Sequence, residues 1–115
     1  MFGTVSVFAS NLMSYKGWEI FDKLSVETFA INSPQTVNVK HTTSRAGIPG
    51  GKFYIDLVGQ NWLGQYSKLA GSHYVEGVCT SYFSYDNVPK NVYKLHFHSS
   101  ETYTDGTWDI EGYAY

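Results

Sequence analysis

The alternation of oily and polar side chains near the C-terminus constrains this chain more than any other feature. In Val92-Tyr93-Lys94-Leu95-His96-Phe97-His98, the residues Tyr93, Leu95 and Phe97 take turns with Lys94, His96 and His98. Successive side chains on a strand point to opposite faces, so residues 91–99 read as a half-buried strand. Residues 107–115 repeat the pattern, with Trp108, Ile110, Gly112 and Ala114 on one face and Asp109, Glu111 and Tyr113 on the other. Between them, Asp105-Gly106 tolerates the positive φ angles of a tight turn. A two-residue turn centred there sets Phe97 opposite Ala114, His98 opposite Tyr113 and Ser99 opposite Gly112. The pattern therefore predicts a hairpin whose apolar residues share one face, while His96, His98, Asp109 and Glu111 share the other.

The rest of the chain reads the same way. Thr4-Val5-Ser6-Val7-Phe8 alternates as a short first strand, and residues 11–17 have loop composition. Residues 23–32 read as one strand that Ser33-Pro34 ends, because proline donates nothing to a ladder and pushes its predecessor out of helix. Thr36-Val37-Asn38-Val39-Lys40-His41 alternates with Val37, Val39 and His41 inward, before a Gly- and Pro-rich loop over 42–51. Phe53, Ile55 and Leu57 alternate with Tyr54, Asp56 and Val58. Residues 61–70 fit either a short helix or a hairpin. The bracketing Gly59 and Gly64 favour a hairpin turning at 61–64, since glycine within a helix costs about 1 kcal/mol. Gly71-Ser72 then punctuates, and residues 73–85 read as one long strand with Val75, Gly77, Cys79, Ser81 and Phe83 on one face. Residues 86–90 turn the chain into its last two strands. Seven or eight short strands with turn chemistry between them predict an all-β domain over 1–115, an antiparallel β-sandwich of immunoglobulin-like or jelly-roll-like form.

Composition excludes several classes. Aromatic residues make up 17% of the chain and charged residues only 16%, which is the reverse of a disordered composition. A net charge of −2 gives no electrostatic reason to expect nucleic acid or an anionic membrane surface. No run approaches the length of a membrane span. Cys79 is the only cysteine, so neither an internal disulfide nor a cysteine zinc site is expected.

Three kinds of chemistry are worth weighing. His96 and His98, two apart on a strand, project to one side and can chelate zinc, copper or iron if Glu101, Asp109 or Glu111 completes the set. The same residues equally make a polar outer face with opposite charges across strands. Asp109 and Glu111 have roughly the spacing of a glycosidase pair, but salt pairing with Lys94 and the histidines accounts for them as well. Cys79 falls on an inner face, where a thiol behaves as a small hydrophobe, and no Gly-x-Ser-x-Gly elbow exists. The feature in excess is aromatic: Tyr54, Tyr74, Tyr82 and Tyr113 should stand on outer faces, with Trp62 and Tyr66 at a turn or its edge. Exposed rings stack on sugars or anchor protein partners, because they supply large rigid contact area.

Residues 53–66 (Phe-Tyr-Ile-Asp-Leu-Val-Gly-Gln-Asn-Trp-Leu-Gly-Gln-Tyr), then Val88-Pro89 with Tyr93-x-Leu95-x-Phe97, then residues 108–114 resemble small exported β-sandwich proteins of Gram-positive bacteria. The resemblance implies export to the outside of the cell and a sandwich fold, and assigns no functional residue. The expected function is a non-catalytic binding module that contacts envelope glycan or a cell-surface protein through Trp62, Tyr66, Tyr74 and Tyr82, without a cofactor. The alternative is a bacteriocin-like or toxin-like domain that self-assembles into homo-oligomers on a cell envelope. A third reading is a metal-dependent enzyme on the His96/His98 face.

Overall fold

The computed structural model of the chain describes residues 11–100 and 106–115, and among them no helix occurs. Nine strands are formed in the described part: β1 (Met13–Ile20), β2 (Asp22–Leu24), β3 (Phe29–Ile31), β4 (Gln35–Arg45), β5 (Lys52–Gln60), β6 (Tyr66–Glu76), β7 (Cys79–Val88), β8 (Asn91–Ser99) and β9 (Trp108–Ala114). All pairings are antiparallel. One sheet has four strands in the order β1-β9-β4-β7; the other has five, in the order β2-β8-β5-β6, with β3 also on the β2 side of β8. The two pack face to face, so the expected all-β sandwich is the fold. The strand expected over Thr4–Phe8, and the residues Glu101 and Asp105, lie outside the described residues.

Period two holds along most strands, with an exception at Val58, expected outward but buried where the β5–β6 register slips. Val37, Val39, Phe53, Ile55, Leu57, Tyr93, Leu95, Phe97, Trp108, Ile110 and Ala114 are all buried. Each fully buried Leu, Ile or Phe contributes about 1.5–3 kcal/mol, so these inner faces drive the packing of the two sheets. Trp108 is the central contact: its ring lies 4.9 Å from that of Phe53, and its indole N–H donates to Ser99 Oγ at 3.0 Å. His41 is also fully buried, and both its nitrogens are satisfied. Tyr15 Oη lies 2.7 Å from Nδ1 and Thr43 Oγ1 lies 2.8 Å from Nε2.

The C-terminal hairpin is not formed. β8 pairs with β2, β3 and β5, whereas β9 pairs with β1 and β4 in the opposite sheet. Phe97 and Ala114 therefore enter the core from opposite sheets instead of sitting side by side. His96 and His98 end up on the opposite outer face from Asp109 and Glu111. Alternation dictates which side of a strand is buried, and a hairpin and a crossover bury the same side. The long strand expected over 73–85 is likewise two strands in two sheets. Gly77, at φ 61°, supplies the left-handed step by which the chain changes sheet after β6.

Smaller departures have local causes. Residues expected as loop at 11–17 form most of β1, and β4 runs on through Arg45 into the expected loop. Gly71 does not punctuate: β6 passes through it, and a Cβ there would lie 2.3 Å from the Tyr85 ring, so its bareness admits that ring. Residues 23–32 break into β2 and β3. Ser25 bridges the gap, donating its N–H to Leu95 O at 2.7 Å and accepting the Leu95 N–H on Oγ at 3.1 Å. At 61–64 the hairpin forms as read: Asn61 Oδ1 accepts the N–H groups of Leu63 and Gln65 at 2.9 and 3.0 Å, and Gly64 takes φ 81°.

Candidate functional site

The outer face of the four-stranded sheet is built on Lys40. Its register partners are Tyr82 on β7 and Tyr113 on β9, and its Nζ lies 6.0 Å and 5.9 Å from their ring centroids. Tyr115 adds a ring 5.5 Å from Tyr113. A shallow hollow of about 260 Å³ lies here, lined by Ser14, Lys40, Thr42, Glu111 and Tyr113. Gly112 beneath it has no room for a side chain, since a Cβ would meet the Lys40 carbonyl oxygen at 2.2 Å.

At the β1 edge of this face the ladder slips between Gly17 and Ile20, forming a bulge in which Glu19 takes φ 53°. Bulges re-aim side chains. Here the bulge throws Trp18 outward, leaving it 65% exposed with Lys16 Nζ 5.5 Å from its ring. Asp109 pins it: Oδ1 accepts the Glu19 N–H at 3.0 Å, while Arg45 grips the carboxylate through Nε at 3.0 Å and Nη2 at 3.1 Å. The Arg45 guanidinium, with the Glu19 N–H, holds the Asp109 carboxyl below the usual carboxylate range. Asp109 is thus a structural anchor of this edge, its partner being Arg45 rather than Lys94 or the histidines.

Beside Trp18 the edges of the two sheets part. The cleft between them measures about 550 Å³, within the range of small-ligand pockets. Phe97 and Ile110 line it, together with Ser14, Lys16, Trp18, Lys23, Leu24 and Glu27 among others.

The outer face of the five-stranded sheet differs. The His96 and His98 rings lie 4.8 Å apart, on one face as their spacing implies. Their carboxylates come from other strands than expected. Asp22 Oδ1 on β2 lies 2.6 Å from His96 Nε2, and Asp56 Oδ2 on β5 lies 2.9 Å from His98 Nε2. Ser72 Oγ donates to Asp56 Oδ1 at 2.6 Å. Tyr54 stacks on His98 at 5.0 Å and also touches Tyr74 at 5.9 Å.

The four aromatic residues singled out in the sequence do not share one surface. Tyr74, 46% exposed, stands on the five-stranded sheet with Lys52 Nζ 4.8 Å from its ring. Tyr66 begins β6 beneath Lys94, whose Nζ is 5.0 Å away, and Trp62 is 90% exposed at the tip of the β5–β6 turn. Tyr82, 68% exposed, is on the opposite sheet. Cys79 is half-buried, with the Ser81 hydroxyl 3.6 Å from its sulfur.

Sequence reasoning missed Trp18, Lys16, Asp22 and Asp56. Alternation with Phe53, Ile55 and Leu57 does place Asp56 on an outer face. No local signal says which strand lies next to it, or that β1 bulges.

No family model and no curated protein matches the chain. Among solved structures, it is similar to a carbohydrate-binding module of type CBM36 in complex with calcium and xylotriose, at 14% identity and TM-score 0.48, covering 89% of this chain and 96% of that one. It is also similar to the C-terminal CBM6 of LamC, a marine laminarinase from Zobellia galactanivorans, at 16% identity and TM-score 0.44, covering 92% of each. A third is a chain of infectious bursal disease virus, Gt strain, at 10% identity and TM-score 0.46, covering 92% of this chain and 29% of that one.

Proposed function

We propose that this protein is a non-catalytic module that binds glycan at a cell surface, seated in the cleft beside Trp18 and extending over the Tyr113–Lys40–Tyr82 row. The observation that carries this reading is Trp18, which a pinned bulge holds 65% exposed at the rim of a cleft of about 550 Å³. A sugar ring offers an apolar C–H face and a rim of hydroxyls. The first stacks on an indole or phenol, and the second needs donors and acceptors close by. Lys16, Lys23, Glu27 and Ser14 supply both kinds around Trp18, and Lys40, Thr42 and Glu111 do so between the tyrosines. Tyr82 and Tyr113 stand on either side of Lys40, about 10 Å apart by strand spacing, which suits successive rings of an oligosaccharide.

The test is a glycan array followed by titration of the best ligand while tryptophan emission is read. Trp18→Ala is expected to weaken binding at least tenfold and Tyr82→Ala several-fold, both with the thermal midpoint kept. Binding that survives in both variants overturns the assignment to this face. If it is lost in Trp62→Ala instead, the site moves to the β5–β6 turn. Oligomers that grow with concentration, in a protein that binds no glycan, would replace the reading with self-association through the open sheet edges.

A further inference from the structure

We infer that the outer face of the five-stranded sheet binds one divalent transition-metal ion through His96, His98 and Asp56, with Asp22 within reach as an exchangeable fourth ligand. Donor atoms of the first three already lie within 4.8 Å of one another. Metal–nitrogen bonds of about 2.0–2.1 Å in a tetrahedral sphere need donors about 3.4 Å apart. Side-chain torsions alone can close that difference, because the backbone is already in register. Asp56 is the direct partner of His96 across β5 and β8, and Asp22 is the direct partner of His98 across β2 and β8.

The surroundings hold these ligands in place. Ser72 fixes one oxygen of Asp56, and the Tyr54 ring lies nearly parallel to the His98 imidazole, at 6°. Such outer partners are what orient metal ligands and keep them from swinging away. The Asp56 side chain is only 14% exposed, and with Asp22 it brings two negative charges to balance a divalent cation. On binding, each imidazole gives the metal a lone pair and keeps its proton on the other ring nitrogen, and a His–Asp hydrogen bond is exchanged for metal bonds. Two imidazoles with one or two carboxylates favour zinc, copper(II) or nickel over calcium or magnesium, which prefer all-oxygen sites. The outward coordination positions remain open to water or to an oxygen of whatever lies on the sheet. This site is on the opposite face from the glycan surface, so either can fail without the other.

The experiment titrates zinc chloride, and separately calcium chloride, into chelator-treated protein by calorimetry. Cobalt(II) absorption is recorded in parallel on the unmodified chain. The expected result is one equivalent of zinc, no calcium uptake, and visible cobalt bands of a mixed nitrogen and oxygen sphere. His96→Ala, His98→Ala and Asp56→Asn should each weaken zinc at least tenfold, with His73→Ala unchanged. Absence of saturable zinc uptake and of cobalt bands in the unmodified chain overturns the proposal, and that arm depends on no variant folding. So does unchanged uptake in the His96→Ala/His98→Ala double variant.

Discussion

On the four-stranded sheet, lysines stand over or between the aromatic rings, Lys40 with Tyr82 and Tyr113, and Lys16 with Trp18. On the five-stranded sheet Lys52 and Lys94 also lie over rings, those of Tyr74 and Tyr66, but a row of rings meets as well: Tyr74 touches Tyr54, Tyr54 covers His98, and His98 leans on His96. Both faces come from strands with the same alternation of oily and polar residues. What differs is the residue opposite across the ladder: Lys40 for Tyr82 and Tyr113 on one sheet, Tyr74 and His98 for Tyr54 on the other. Lys40 between them keeps Tyr82 and Tyr113 two strands apart. A ring or imidazole opposite covers a ring's face, and what remains available is a cluster of nitrogen and oxygen lone pairs. The first arrangement is the one proposed for stacking and the second the one proposed for chelation.

Histidines extend the contrast. His41 on the four-stranded sheet points into the core, where burial, and then the charge of His73, lower its pKa to about 4. His73 is lowered as well, by its partial burial. The unfolded chain takes up a proton on His41 near pH 6.5 and the folded chain only near 4. The stability this ring contributes is complete above 6.5 and lost as pH falls toward 4, by up to about 3 kcal/mol. Thermal midpoints measured from pH 7 to 4 should fall through that window, and His41→Gln should flatten the decline. An equally steep profile in that variant would break the distinction between inward and outward imidazoles.

A smaller effect tests the pinned edge. Asp109→Ala removes the paired bonds to Arg45 and the bond to the Glu19 N–H, and should cost about 1 kcal/mol in chemical denaturation, since the network is largely solvent-facing. It should also change Trp18 emission, because the bulge loses its anchor. If the emission stays put, the bulge is held by something other than Asp109. Smallest of all, Trp62→Ala should leave stability within about 0.5 kcal/mol, as substitutions at exposed turn tips do. A larger loss would mean that the β5–β6 turn is less independent of the sheet than its exposure indicates.

Much of the fold was legible in advance, for a physical reason. Burying one side of a strand requires period two, and Val37, Val39, His41, Phe53, Ile55 and Leu57 obey it without exception. Sheet membership was not legible, because Leu95 and Ile110 are equally buried whether their strands pair or face each other. The candidate sites depend on that missing information. His96 and His98 could be seen to share a face, but Asp22 and Asp56 become their neighbours only once β2 and β5 flank β8. Trp18 depends on a bulge whose fastener, Asp109, is distant in sequence.

The Tyr85 ring packed on Gly71 has a consequence for how this molecule breathes. Tyr85 rises from β7 in one sheet and donates its hydroxyl to the Ile55 carbonyl in the other. The chain itself also crosses between the layers on that side, at Gly77. That margin is therefore tied by a side chain as well as by the backbone, whereas at the margin where β1 and β2 lie the chain crosses through Phe21 and the cleft opens beside it. Backbone amides along β1 and β2, which border the cleft, should trade hydrogen for deuterium before those of β5 and β7 beside the Tyr85 clasp.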